Sequence, residues 1–318
     1  MTASIFTGPA TSPLAAHAAA AAPGPAGTQD ATPAVGATGA TRSPAAAAPV
    51  AACPRPITGH LHAAPGLTTT GDVATLECRD VHYADVNDAV RAAIGAGATT
   101  VRLRGINGQR HIATGLRGEA RIEVDGVPGQ GLAMFMDGPT VDVSGNAQDG
   151  VGNTMNSGLV VVRGDAGDVA GYGMRGGRLF IAGDVGYRVG IHMKAYESQR
   201  PVVVCGGTAR DFFGEYMAGG LLVLLGLGPR RHDAILGTHV GAGMHGGEIY
   251  VRGEVAPHQC AADVRARPAT DTEMGALRPT LDEYCAALGI DPYAVASGGF
   301  TRIAPVSSRP YGSRYASL

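Results

Sequence analysis

The chain has no tryptophan, and its phenylalanines and tyrosines bring the aromatic share to only 5%. Charge is nearly balanced, with 25 basic and 27 acidic residues and a formal net charge of −2. Without a basic stripe or interleaved aromatics there is nothing to follow a phosphate backbone, which argues against a nucleic-acid partner. Five cysteines (Cys53, Cys78, Cys205, Cys260 and Cys285) are scattered, form no C-x-x-C pair and leave one over in any pairing. That usage argues against a disulfide framework or an iron–sulfur site in this chain, and fits a reducing cytoplasm. Cys205 reads as a small buried hydrophobe, and no cysteine stands in an evident electropositive, base-bearing setting. No segment approaches the ~20 apolar residues of a membrane span. Between Gly138 and Gly253 there is no room for a helix either, because glycine punctuates that stretch every few residues.

What the chain does have is a repeat. Met136, Met155, Met174 and Met193 fall nineteen residues apart, and Met217 and Met244 continue the series after intervals lengthened by five and by eight. Three residues before the last five stand Gly152, Gly171, Gly190, Gly214 and Gly241, with Ala133 in the first unit. After each methionine comes a short apolar run, such as LVVVRG (159–164), RLFIAG (178–183), RPVVVCG (200–206), LLVLLG (221–226) and EIYVRG (248–253). A fixed period near twenty marks a solenoid, whose units bury their faces against neighbours. Nineteen extended residues span about 60 Å at ~3.3 Å each. That suffices for one turn of a triangular coil and is too short for a four-stranded propeller blade. The expected fold is an all-β solenoid, a single-stranded right-handed parallel β-helix with a small α/β cap and a helical C-terminal tail.

On this reading Met155, Met174, Met193, Met217 and Met244 are core residues stacked coil on coil, and the glycines are corners. GDAGDVAG (164–171) has the look of a phosphate-cradling loop but precedes no helix. His232, His239 and His245 with Asp233 match no compact zinc spacing, so no metal site is expected.

Four segments follow. Residues 1–56 read as a disordered Ala/Pro-rich arm, since they hold nothing bulky enough for a core. AAHAAAAAPG (15–24) lacks the basic flank and Leu/Val-rich centre of a signal peptide, which again favours the cytoplasm. Residues 57–117 read as a small α/β cap, with a helix capped by Asp85, Val86, Val90, Ala93 and Ile94 on one face, and TTVRLRG (99–105) as a strand. Arg102, Arg104, Arg110, Arg117 and Arg121 form either a solvated face or a contact for an acidic partner. Residues 118–256 are the β-helix proper. Residues 257–318 read as a tail that docks on a partner, with a capping box Thr280–Glu283 starting a helix that Gly289 stops, and Asp291–Pro292 opening another. Two insertions, AYESQR (195–200) and GPRRHDAILGTH (228–239), read as partner-binding loops, with Lys194, Arg230 and Arg231 as candidate contacts.

GQGLAMFM (129–136), residues 145–194 and GEYMAGGLLVLLG (214–226) together resemble the C-terminal GXGXG domain of the glutamate synthase large subunit. A similar β-helix belongs to the formylmethanofuran dehydrogenases, as one of their subunits. The resemblance is strongest to the stand-alone subunit of the N-methylglutamate synthase type, where amidotransferase, β-helix and FMN domains are separate chains. It covers residues 85–255 well, with departures at Ala133, Pro139 and Tyr196. The resemblance implies a non-catalytic scaffold that binds no cofactor itself. A glutamine amidotransferase-like subunit and an FMN-binding, iron–sulfur-bearing subunit would be its partners. The alternative is a β-helix acyltransferase-like enzyme acting alone, with His192 as the nearest catalytic candidate. Against it, such enzymes repeat an apolar residue every sixth position, about eighteen per turn.

Overall fold

The computed structural model describes residues 64–228 and 234–309. The arm expected over 1–56, Cys53, Arg230, Arg231, His232, Asp233 and the last nine residues lie outside the described residues.

The chain enters through a hairpin of β1 (Gly66–Thr70) and β2 (Val73–Glu77), followed by α1 (Tyr83–Gly95) and β3 (Thr100–Asn107). The strands that follow are spaced one per coil: β4 (Arg121–Val127), β5 (Asp137–Val143), β6 (Ser157–Val162), β7 (Arg178–Ile181), β8 (Val202–Cys205), β9 (Ala218–Leu224) and β10 (Gly246–Arg252). Beyond them come β11 (Val264–Pro268), α2 (Asp271–Leu288), α3 (Pro292–Ala296) and β12 (Phe300–Pro305). Among the described residues twelve strands form one sheet, ordered β1 to β10 and then β12, β11. From β2 to β10 every neighbour is parallel, while β1 and the β12–β11 pair are antiparallel. The parallel β-solenoid is therefore the observed fold, and strands of reversed direction finish both ends of its sheet. No described helix is long and apolar enough to cross a membrane.

Stacking in register explains the repeat. Val141, Val160, Leu179, Val203, Leu222 and Ile249 pair successively across the sheet and are all fully buried. The methionines form a second inward column, from Met136 to Met244, none more than 2% exposed. Each methionine closes a tight turn by donating its N–H to the carbonyl three residues back. Met155 bonds Gly152 at 3.1 Å, Met193 bonds Gly190 at 3.1 Å and Met217 bonds Gly214 at 3.2 Å. Gly214 shows why that corner admits no side chain. Its φ is +74°, and a Cβ there would stand 2.5 Å from Cδ1 of Ile249. Gly190 is in the same position against Leu222.

A polar ladder holds the side that carries GDAGDVAG. Asn146 Oδ1 accepts the Asp165 N–H (2.9 Å), Asp165 Oδ1 accepts the Asp184 N–H (2.9 Å) and Asp184 Oδ1 accepts the Thr208 N–H (2.8 Å). A second row runs from Asp149 to the Asp168 N–H and from Asp168 to the Tyr187 N–H, both at 2.8 Å. These aspartates satisfy backbone donors that the tight corners leave without a strand partner.

The two ends differ from the sequence reading in instructive ways. The N-cap of α1 is His82, whose Nδ1 accepts the Ala84 N–H, and Asp85 lies in the first turn instead. Val86, Val90 and Ala93 share the buried face as expected. The Thr280–Glu283 capping box is not a helix start. Helix α2 begins ten residues earlier, at a capping box of Thr270 and Glu273, and passes through Pro279. Pro279 and Gly275 lie on the exposed side, where water can take the carbonyl that the proline leaves unpaired. Gly289 closes the helix in the left-handed conformation at φ +70°, and Asp291 caps α3.

The described tail covers the rod itself. Leu277, Leu281, Tyr284 and Cys285 of α2 pack on Phe180, Val202, Val204, Leu221, Val223 and Tyr250, the outward side chains of β7 to β10. Tyr284 meets Phe180 edge-on at 5.6 Å and donates its hydroxyl hydrogen to the Ile181 carbonyl at 3.2 Å. The apolar face of α2 is thus covered by the chain's own sheet, and β12 adds to that sheet as a strand.

Two outcomes test this account. Gly214→Ala should lower stability by about 1–3 kcal/mol through overpacking against Ile249, plus roughly 1–2 kcal/mol for a left-handed alanine. Met217→Leu in the same coil should cost under about 1.5 kcal/mol. Urea unfolding midpoints compare the two. Glu273, held down to about 2 by Arg267 and by the Thr270 N–H, gives the second. Because its folded-state value is depressed, its contribution is complete above the ordinary glutamate range near ~4.3 and is lost as pH falls toward 2. The gap in thermal midpoint between the parent and Glu273→Gln should be widest near neutrality and close with acid.

Candidate functional site

The turn that buries each methionine sends its neighbours outward. The residue before Met sits in the left-handed region, and from Asn156 to His245 the residue after it is half-buried or, at Lys194, exposed. Down the rod the first position reads Thr154, Gly173, His192, Tyr216 and Gly243, and the second reads Asn156, Arg175, Lys194, Ala218 and His245. Backbone bonds hold both columns in register. Thr154 N–H donates to Tyr172, Gly173 to Ile191, His192 to Glu215 and Tyr216 to Ala242, all at 2.8–3.1 Å. Arg175 N–H donates to Met155 and Lys194 N–H to Met174 (2.8 and 3.0 Å).

Between these columns runs an open groove of about 760 Å³, walled by Tyr172, Arg175, His192, Lys194, Tyr216 and His245. Glycine makes part of the space. At Gly243 a Cβ would lie 2.4 Å from the ring of Tyr216, so only glycine lets that ring lie along the wall. The His192 ring stacks on Tyr216 at 5.2 Å and 12°, and meets Tyr172 edge-on at 5.8 Å. His245 Nδ1 is 3.0 Å from the Gly243 carbonyl. The groove is lined by hydroxyls, imidazoles, a guanidinium and an ammonium, and among the described residues no aspartate or glutamate lines it.

Charge elsewhere on the rod is arranged differently. On the outer face of β3 to β5, Arg102 pairs with Glu123 (2.7 Å), and Arg121 pairs with both Glu123 (3.0 Å) and Asp142 (2.9 Å). Arg163 also meets Asp142, at 2.9 Å. Arg104 reaches Glu77 at 3.6 Å, and Arg110 lies over the Tyr83 ring at 4.7 Å. Arg102, Arg104 and Arg121 of the cap's arginine cluster are thus ion-paired within the chain.

The remaining candidates separate in space. The repeat residues, from Gly152 and Met155 to Gly241 and Met244, line the interior and its corners. Residues 195–200 form a small hairpin bridged by Tyr196 and Gln199, with Lys194 at its foot. Of the histidines weighed for metal, His239 stacks on Phe212 at 4.9 Å and His245 faces the groove. Among the described residues no three of His, Cys, Asp and Glu converge as a metal site would require. Cys205 points into the rod interior and Cys285 into the outer layer under α2. Sequence reasoning passed over Arg175, Tyr172 and Tyr216. The usable signal was position: a residue at a fixed offset from a core methionine shares its side of the rod.

Comparison with known proteins places the chain. The GXGXG motif family model matches residues 85–295. An uncharacterized protein of Methanocaldococcus jannaschii is 42% identical over 248 residues, covering 76% of this chain and 95% of the relative. The chain belongs to the GXGXG motif family. Among solved structures, the formyltransferase/hydrolase complex of Methylorubrum extorquens bound to methylofuran contains a similar chain. That chain is 24% identical with a TM-score of 0.52, covering 65% of this chain and 73% of its own, a likeness of fold.

Burial also sets the behaviour of the thiols. It pushes Cys205 far up, and it raises Cys260, Cys285 and, to about 11, Cys78, where the neighbouring Glu77 adds to it. At pH 8 a thiol at 11 is ionised in only about one molecule in a thousand. Mass spectrometry after iodoacetamide treatment of the folded protein should find half-buried Cys260 alkylated first among the described cysteines. Cys205 should stay unmodified until the rod unfolds.

Proposed function

We propose that this GXGXG protein is a non-catalytic β-helix scaffold subunit of a multi-subunit, glutamate-synthase-like complex. The observation that carries the reading is the extent of the family match. Residues 85–295 span most of the described chain, and they build a rod whose interior is filled by side chains. The M. jannaschii relative is matched over 95% of its length. A rigid solenoid suits the task of holding two active sites at fixed separation. The formyltransferase/hydrolase complex supports this by analogy, since a chain of similar fold works there beside others.

In the finer form of the proposal, the partners are a glutamine amidotransferase-like subunit and an FMN-binding subunit. FMN and an iron–sulfur cluster would belong to the latter, and ammonia would pass between sites without escaping. The whole assembly would act in glutamate, N-methylglutamate or related amino-group metabolism in the cytoplasm. The hairpin at 195–200 beside Lys194 and the insertion carrying Arg230 and Arg231 are the proposed contact surfaces.

Affinity purification of the tagged chain from its native cytoplasm tests this. Co-recovery of an amidotransferase-like and a flavin-containing chain is expected, with flavin absorbance near 450 nm in the complex and none in the chain purified alone. A colourless, solitary protein that turns over an acyl donor, and loses that activity in His192→Ala, would replace the scaffold with the acyltransferase-like alternative.

A further inference from the structure

We propose that the groove beside the methionine turns binds a small organic anion bearing a carboxylate or phosphate group, with Arg175 and Lys194 as its clamp. The assignment does not depend on the scaffold reading, because it rests on the charge of one surface. Arg175 and Lys194 follow core methionines in successive coils, and the Lys194 N–H bonds the Met174 carbonyl just ahead of Arg175. Their backbones are therefore one coil rise apart, about 4.8 Å. Like charges directly opposite each other in adjacent strands destabilise a sheet. On the outer face of this rod Glu123 and Asp142 also stand opposite each other, but there Arg102, Arg121 and Arg163 pair with them. In the groove neither cation has an acidic partner among the described residues, and two imidazoles stand on the same walls. An anion lying between them removes the repulsion and gains charge-assisted hydrogen bonds.

The identity of the residues sharpens the case. Lys194 is the only lysine in the chain, where every other basic residue counted with it is arginine. Arginine is used here for paired, fork-shaped contacts with carboxylates, as in Arg267–Glu273 and Arg302–Glu248. Lysine offers a compact ammonium on a flexible stem that can follow a ligand oxygen. Around the clamp, the hydroxyls of Thr154, Tyr172 and Tyr216 and the ring edge of His192 supply lateral hydrogen-bonding groups. The volume of about 760 Å³ lies within the range of small-ligand sites. The rigid coil stack fixes the clamp spacing before any ligand arrives.

A single lysine makes the test direct. In the full-length chain carrying isotope-labelled lysine, the side-chain NMR spectrum holds one signal, Lys194. It is titrated at low salt with inorganic phosphate, with succinate and with neutral succinamide. A saturable shift with phosphate alone supports a phosphate-bearing ligand, with succinate alone a carboxylate, and with both a general anion clamp. Succinamide should leave the signal in place. Calorimetry on Arg175→Gln and Lys194→Gln should show about tenfold weaker binding of the effective probe, with Arg175→Lys partly restored. Both positions lie outside the core, and an unchanged unfolding midpoint confirms that the fold is intact. A signal that does not saturate with either anion, or equal binding by parent and Arg175→Gln, overturns the proposal.

Discussion

Everything in this molecule hangs on closing a nineteen-residue coil and laying the next coil on it in register. Once Leu179 sits over Val160 and Val203 over Leu179, each inward position sees its own counterpart above and below. A side chain that fits once must fit in every coil, so the interior resolves into columns of methionine, of branched aliphatics and of small residues. Methionine suits the turn column because its unbranched thioether adapts to neighbours that change from coil to coil. Glycine enters where the strand side chain of the following coil points at the corner, as Ile249 does toward Gly214. The aspartate rows answer the same geometry on another side, since corners too tight for strand pairing still leave N–H groups that need an acceptor.

The outer surface has more freedom, and the chain uses it differently along its length. Near the cap, β3 to β5 carry arginines and carboxylates on this face, each exposed pair worth only a fraction of a kcal/mol or so. From β7 onward the same outward positions become Phe180, Val204, Val223 and Tyr250, and α2 covers them. The helix works as a brace across successive coils, tied by the Tyr284 hydroxyl and by the Arg178–Glu283 ion pair. The third surface, beside the methionine turns, has no acidic side chain in its lining among the described residues. The groove with Arg175 and Lys194 on its walls is the proposed anion site.

Much of this was legible in advance, for a physical reason. A repeat imposes its period on the sequence, so the Gly–x–x–Met spacing revealed the coil, the inward methionines and the corner glycines. The unbroken apolar runs VVVC and LLVLL also carried a message that alternation-based reading passes over. A strand without polar alternation is buried on both faces, and here the second cover is the chain's own tail. The start of α2 was misplaced because Thr280 and Glu283 also have capping-box spacing, while the true capping box at Thr270 and Glu273 lay before a stretch of weak apolar periodicity.

The sequence by itself determined the solenoid, its register and its family, because nineteen-residue periodicity is a local property written into every coil. Only the tertiary structure decided that α2 covers β7 to β10, since that contact joins residues about a hundred positions apart, as Tyr284 and Ile181 show. It alone decided the groove as well. Tyr172, Arg175, His192, Lys194, Tyr216 and His245 are dispersed across 74 positions of the chain and meet only because stacking brings residues of successive coils to within one strand spacing of each other.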